Sequence, residues 1–136
     1  MVKISSIYKG QKNCQATHEP SQTKFETDAP KDNQGRGESF SPTDLMATAL
    51  GTCILTTLAI QLEKEGLSFE NSKISTEKVM TSEGPRRIKS LHTLLELPHS
   101  IPEKFRERIS EIAWNCPVKK SLHPEIDARI EIRYSL

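Results

Sequence analysis

No excess of charge of either sign marks this chain: 19 Lys and Arg stand against 18 Asp and Glu, a formal net charge of +1 over 136 residues. A phosphate-binding surface needs a basic surplus or cluster, so neither nucleic acid nor an anionic membrane is expected as a partner. The amino-terminal MVKISSIYKG has lysines but no apolar run between or behind them, and no signal peptide is expected there. A clean membrane span is missing too. The longest apolar stretch, within 41–64, is rich in Thr and Gly and broken by Gln61, whereas a spanning helix needs about 20 mostly apolar residues. It reads instead as a helix buried on most sides of a folded domain. Cysteines are few. Three is an odd number without the spacing of a disulfide scaffold, which points to a reducing cytoplasm. Internal repeats and low-complexity segments are absent, and the length suits a single domain, 1–136, with one hydrophobic core.

What is present is a legible order of elements. Residues 2–8 and 12–17 read as short strands joined at Gly10, and 23–27 as a third. The segment 28–40, DAPKDNQGRGESF, has Pro, Asn and two Gly without apolar period and is expected to be a loop. A long helix follows. Ser41 suits its N-cap, Pro42 its first position and Asp44 its first turn, where a negative charge complements the dipole. Leu45, Met46, Ala49, Leu50, Cys53, Ile54, Thr57, Leu58 and Gln61 recur at helical spacing, and Gly66 is a natural stop. Strands are expected over 72–80 and 86–97 around a Gly84-Pro85 turn. Leu91, Thr93, Leu95 and Leu97 share one face at period two. A helix over 102–114 has the apolar stripe Phe105, Ile109, Ile112 and Ala113, with Ser100 and Glu103 placed for a capping box. Pro117 opens a short helix, and DARIEIRY (127–134) alternates as the last strand. The order implies an α+β fold with antiparallel pairing.

Cys53 and Cys116 are the first candidates for chemistry. Neither has a second Cys or His two to four residues away, so a zinc site is not expected. Cys53 by itself fits a small core hydrophobe. Cys116 precedes a proline at a helix start, where free N–H groups and the dipole are expected to favour a thiolate. A reactive Cys53 would need a cation brought in by the fold, since it lies about three turns into its helix and the dipole fades after the first. Arg36, Arg86, Arg87 and Lys24 are the candidates, each otherwise a solvated charge. His18, His92, His99 and His123 are scattered and show no motif for a catalytic base, and Cys14 has no partner signal.

Two stretches taken together resemble a known family. SPTDLMATALGTC is similar to the SPxELLxAALxxC helix start of the OsmC/Ohr family of thiol-dependent peroxidases, and CPVKKSL to its second-cysteine motif CPVxxxL. The upstream TDAP and Gly-rich loop also resemble that family's approach to the helix, so the likeness runs over about residues 20–125. It implies an OsmC-like fold: antiparallel sheets around a long central helix, in a homodimer whose two chains intertwine, with active sites at their interface. It implies that Cys53 is the peroxidatic thiol that becomes a sulfenic acid, and that Cys116 resolves it as a Cys53–Cys116 disulfide. An external dithiol reductant, often dihydrolipoyl in type, would restore both thiols. No metal or flavin cofactor is implied, an organic hydroperoxide is the implied substrate, and Arg36 is taken as the thiolate-supporting cation.

One position departs from the family pattern. Its peroxidases carry Glu directly after the helix-start Pro, where it orients the catalytic arginine; here that residue is Thr43, and the acid follows at Asp44. One residue turns a side chain by about 100° around a helix, so Asp44 serves better as a first-turn dipole partner than as that catalytic acid, though it stays a candidate. The departure leaves two readings: a hydroperoxide reductase active in oxidative-stress defence, or an OsmC-fold dimer that binds an apolar small molecule at its interface without redox turnover.

Overall fold

The computed structural model describes all 136 residues, which form two compact units, 1–46 and 47–136. The first unit is a three-stranded antiparallel sheet of β1 (Ile4–Gly10), β2 (Asn13–His18) and β3 (Thr23–Asp28), in that spatial order. The β1–β2 turn is made by Gln11 and Lys12, both at positive φ, directly after Gly10 at φ 91°. The expected loop follows β3 and contains one 3₁₀ turn, Lys31–Asn33.

Helix α1 (Pro42–Leu62) starts at the end of this unit. The Asp44 N–H donates to Ser41 Oγ at 3.1 Å, and the Ser41 N–H donates back to Asp44 Oδ2 at 2.8 Å. This is a reciprocal capping box, with Asp where Glu or Gln is usual. It gives Asp44 a definite structural task at the place where a negative charge also suits the dipole. At the other end a 3₁₀ turn, Glu63–Glu65, leads to Gly66 at φ 86°, the left-handed stop that glycine adopts without steric cost.

In the second unit α1 packs on a sheet of β4 (Lys73–Met80), β5 (Ile88–Leu97) and β6 (Ile130–Tyr134), with β5 in the middle. The core joins Leu50, Ile54, Leu58 and Leu62 of α1 to Leu91, Leu95 and Leu97 of β5, all without exposed surface. Burying one such side chain contributes about 1.5–3 kcal/mol. Gly51 sets the closeness of the contact. A Cβ there would lie 3.3 Å from Thr76 Oγ1 and 3.4 Å from an Ile74 methyl. Helix α2 (Arg106–Trp114) adds Ile109, Ile112 and Ala113, and α3 (Pro117–Ser121) follows after two residues.

Four expectations change. β4 and β5 are antiparallel, but β6 runs parallel to β5, so the second sheet is mixed. Alternation looks the same in either direction; the connection decides, and residues 98–129 with α2 and α3 are long enough for the crossover that a parallel pair requires. Ser100 and Glu103 form no capping box: the chain enters α2 through a 3₁₀ turn, Glu103–Phe105, whose N-cap position is Pro102 and which has no side-chain cap. The last strand is shorter than the alternation suggested, although Asp127 still pairs with Ser90 as a parallel bridge. Finally, α1 is not buried on most sides. By length and composition Pro42–Glu65 would suffice to cross a membrane, yet 33% of its most apolar window is buried. One face forms the core, while Thr48, Thr52, Thr56 and Ile60 lie exposed and Ala49, Cys53 and Thr57 half-buried. Within the helix the hydroxyls of Thr52 and Thr56 are satisfied by donating to carbonyls four residues back.

Candidate active site

The position of Cys53 follows from α1. It stands one residue before the fully buried Ile54, at the margin between the core face and the open face, and packs half-buried against the core. Its Sγ lies 3.8 Å from Thr57 Oγ1, one turn further on.

Cys116 is placed by a different device. Asn115 closes α2, its N–H reaching the carbonyls of Glu111 and Ile112 and its side-chain amide donating to Glu111 O at 2.7 Å. Pro117 then restricts the residue before it to extended backbone, and Cys116 has φ −61° and ψ 148°. That conformation makes Cys116 the N-cap of α3, with the Lys119 N–H directed at Sγ at 3.5 Å. The thiol has no exposed surface.

These two thiols, far apart in sequence, meet in space, and both are free. Burial is the largest influence on Cys116 and pushes its thiol up; the charge of Cys53 and a side-chain hydrogen bond with it push the same way. The N–H groups of Lys119 and Val118 pull it down, but by less. The expectation that the helix start would favour a Cys116 thiolate is therefore corrected. Desolvation of a sulfur without exposed surface outweighs two N–H groups on a five-residue helix.

The other candidates have the following surroundings. Arg36, in the first unit, holds Nε 3.9 Å from Asp28 and 3.7 Å from Glu38, with half its side chain exposed. Arg87, in the second, pairs with Glu125 at 3.2 Å and donates to Ile88 O at 3.1 Å. Thr43 Oγ1 lies 3.2 Å from the Ser41 hydroxyl at the α1 cap. Cys14 sits in β2 between Tyr8 and Thr27. His18 contacts the Ser21 hydroxyl, His99 the Leu136 carbonyl, and His123 accepts the Glu125 N–H. His92 lies 3.2 Å from Asp127, which Arg129 also holds. These two partners keep the Asp127 carboxyl below its ordinary range, Arg129 first.

Residues 35–131 match the sequence model of the family described as OsmC-like protein. The chain belongs to the OsmC-like family. Both Cys53 and Cys116 lie inside the matched stretch. A crystal structure from Psychrobacter arcticus 273-4, provisionally named an osmotic stress induced and detoxification response protein, superposes with a TM-score of 0.91 at 35% identity, covering 98% of this chain and 96% of that one. The organic hydroperoxide resistance protein OhrB of Bacillus subtilis shares the fold, with a TM-score of 0.72 at 14% identity and 98% of each chain covered. YmaD, an uncharacterized protein of Bacillus subtilis (strain 168), is 29% identical over 77 residues. The matched stretch is 57% of this chain and about half, 51%, of YmaD. The OsmC-like fold thus places α1 and the α2–α3 corner so that two motif cysteines face each other.

Two features, one in each unit, were not legible in the sequence. The Lys119 ammonium sits over the Trp114 ring, 4.5 Å from its centroid, across the corner that holds Cys116. Asp28 is 2% exposed, and its Oδ1 is buried without a hydrogen-bond partner, while Oδ2 accepts the Glu38 N–H at 3.2 Å. The only sequence signal for the first was an aromatic and a lysine flanking Cys116-Pro117. The second sat within TDAP.

Proposed function

We propose that the protein reduces organic hydroperoxides through Cys53 and Cys116. The observation that carries this reading is the meeting of the half-buried Cys53 with the fully buried Cys116, the two cysteines of the family motifs. In the first step the Cys53 thiolate attacks the peroxide oxygen; the O–O bond breaks, a proton is taken up, the alcohol leaves and sulfur becomes a sulfenic acid. In the second, the Cys116 sulfur attacks the Cys53 sulfur, displacing its hydroxyl as water and leaving a disulfide. In the third, an external dithiol of the dihydrolipoyl type gives up two hydrogens, becomes a disulfide itself and restores both thiols. This cycle uses thiols alone and belongs in a reducing compartment such as the cytoplasm. Arg36 is the cation proposed to hold the Cys53 thiolate.

Family members are typically dimeric, and we extend this to the present chain. The open face of α1, with Ile60 77% exposed and Met46 40% exposed, supports the extension because apolar surface of this kind is usually covered by a partner.

The test is substitution of each cysteine. Cys53→Ser should abolish peroxide consumption, and Cys116→Ser should leave a Cys53 sulfenic acid that dimedone traps. Unchanged consumption by the Cys53→Ser protein would refute the reading. The second reading, a non-catalytic binder of an apolar small molecule, is favoured by Thr43 in place of the family Glu. It becomes the better one if the wild-type protein shows no thiol-dependent turnover with any organic hydroperoxide and dithiol.

A further inference from the structure

We propose that Trp114 and Lys119 form a clamp across the α2–α3 corner that positions Cys116 for attack on Cys53; this rests on the redox reading above. Trp114 is the last residue of α2 and Lys119 lies in α3, so their contact spans Asn115, Cys116, Pro117 and Val118. The backbone of this corner is fixed from both sides. Asn115 ties it to Glu111, and the Lys120 N–H donates to Cys116 O at 3.0 Å. The Cys116 side chain is contacted by the N–H groups of Lys119, at a long 3.5 Å, and Val118, and by the Cys53 thiol. Holding Lys119 therefore steadies one of the contacts that set the Cys116 rotamer. The Lys119 ammonium rests on the indole, a contact between two partly exposed groups.

The chemistry gives such a clamp a purpose. Disulfide formation requires narrow geometry about the two sulfurs. The sulfenic acid is vulnerable to further, irreversible oxidation while it waits for its partner. A corner that keeps the Cys116 sulfur aimed at Cys53 shortens that wait. Trp114 and Lys119 touch neither peroxide nor sulfur with their side chains, so both are positioning residues. An exposed cation–π contact changes a population by about two- to fivefold, and the second step should slow by that factor when the clamp is removed.

The experiment compares wild type with Lys119→Met, Lys119→Arg and Trp114→Leu. Reduced protein is mixed with one equivalent of an organic hydroperoxide, and dimedone-trapped sulfenic acid and the Cys53–Cys116 disulfide are followed by mass spectrometry. Lys119→Met and Trp114→Leu should leave the rate of Cys53 oxidation unchanged, slow disulfide formation by about two- to fivefold, and raise the trapped fraction. Lys119→Arg, which keeps the cation, should restore the wild-type rate. The double variant should be no slower than either single one. A second arm needs no peroxide: each protein is equilibrated in a glutathione redox buffer, where clamp loss should make the 53–116 disulfide easier to reduce by a similar factor. If wild type ignores the peroxide, the redox reading fails and the glutathione arm still decides the clamp. Wild-type disulfide kinetics and equilibrium in Lys119→Met and Trp114→Leu, or failure of Lys119→Arg to rescue, would overturn the inference.

Discussion

Raising the pH should accelerate the resolving step well beyond the range in which an ordinary thiol has stopped responding. In the proposed cycle Cys116 is the attacking sulfur, and a thiol attacks as its thiolate. Its burial, then Cys53, outweigh the two N–H groups, so the thiol is raised. An ordinary thiol, with pKa between about 8.5 and 9, gains only about two- to threefold in thiolate from pH 8.5 to 9.5. A raised thiol is still on the steep part of its titration and gains up to about tenfold over the same interval. Oxidation of Cys53 to the uncharged sulfenic acid removes the repulsion from its thiolate but leaves the burial, the larger cause, in place. The assay is a single turnover with one equivalent of hydroperoxide, following disulfide formation separately from sulfenic acid formation. Sulfenic acid should accumulate at neutral pH and decline as pH rises, and the gain between pH 8.5 and 9.5 should exceed threefold. A second-step rate that levels off at or below pH 8.5 would refute the reasoning, because the Cys116 thiol would then not be raised. The same shift acts on stability. The folded state keeps its proton longer than the unfolded chain, so this stabilisation is complete below the ordinary thiol pKa. It is lost as pH rises through the raised value.

Three further outcomes follow from named contacts. Ser41→Ala removes the hydroxyl that receives the Asp44 N–H and should cost about 0.5–2 kcal/mol; an unchanged denaturation midpoint would show that the cap is redundant. Gly51→Val places methyl groups where Thr76 and Ile74 already stand and should destabilise by about 1–3 kcal/mol, with a urea melt as the measure; wild-type stability would mean that α1 does not rest tightly on β4. Sedimentation at micromolar concentration should give a dimer, and a folded monomer there would count against a partner covering the open face of α1.

The sequence disclosed element order well, because it depends on local chemistry: Ser41, Pro42 and Gly66 bound α1, and Leu91, Thr93, Leu95 and Leu97 mark the buried face of β5. It disclosed less wherever the answer depends on what lies opposite. The direction of β6 is invisible in its alternation and is set by a crossover. The apolar residues of α1 revealed a helix, not how many of its sides the chain itself would cover. The two cysteines could be paired only through a family resemblance, since spacing says nothing about distance in the fold. The direction of the Cys116 shift was misjudged because a helix start is visible in sequence and complete burial is not. Trp114 and Lys119 looked unremarkable until the corner between them was seen to carry the thiol.

The most direct test of the central claim is the mass of the wild-type protein after one equivalent of organic hydroperoxide at neutral pH, with no reductant present. The expected product has lost two hydrogens, and its digest joins the Cys53 and Cys116 peptides through a bond that a dithiol cleaves. Recovery of both thiols unmodified, with the peroxide intact, would contradict the account.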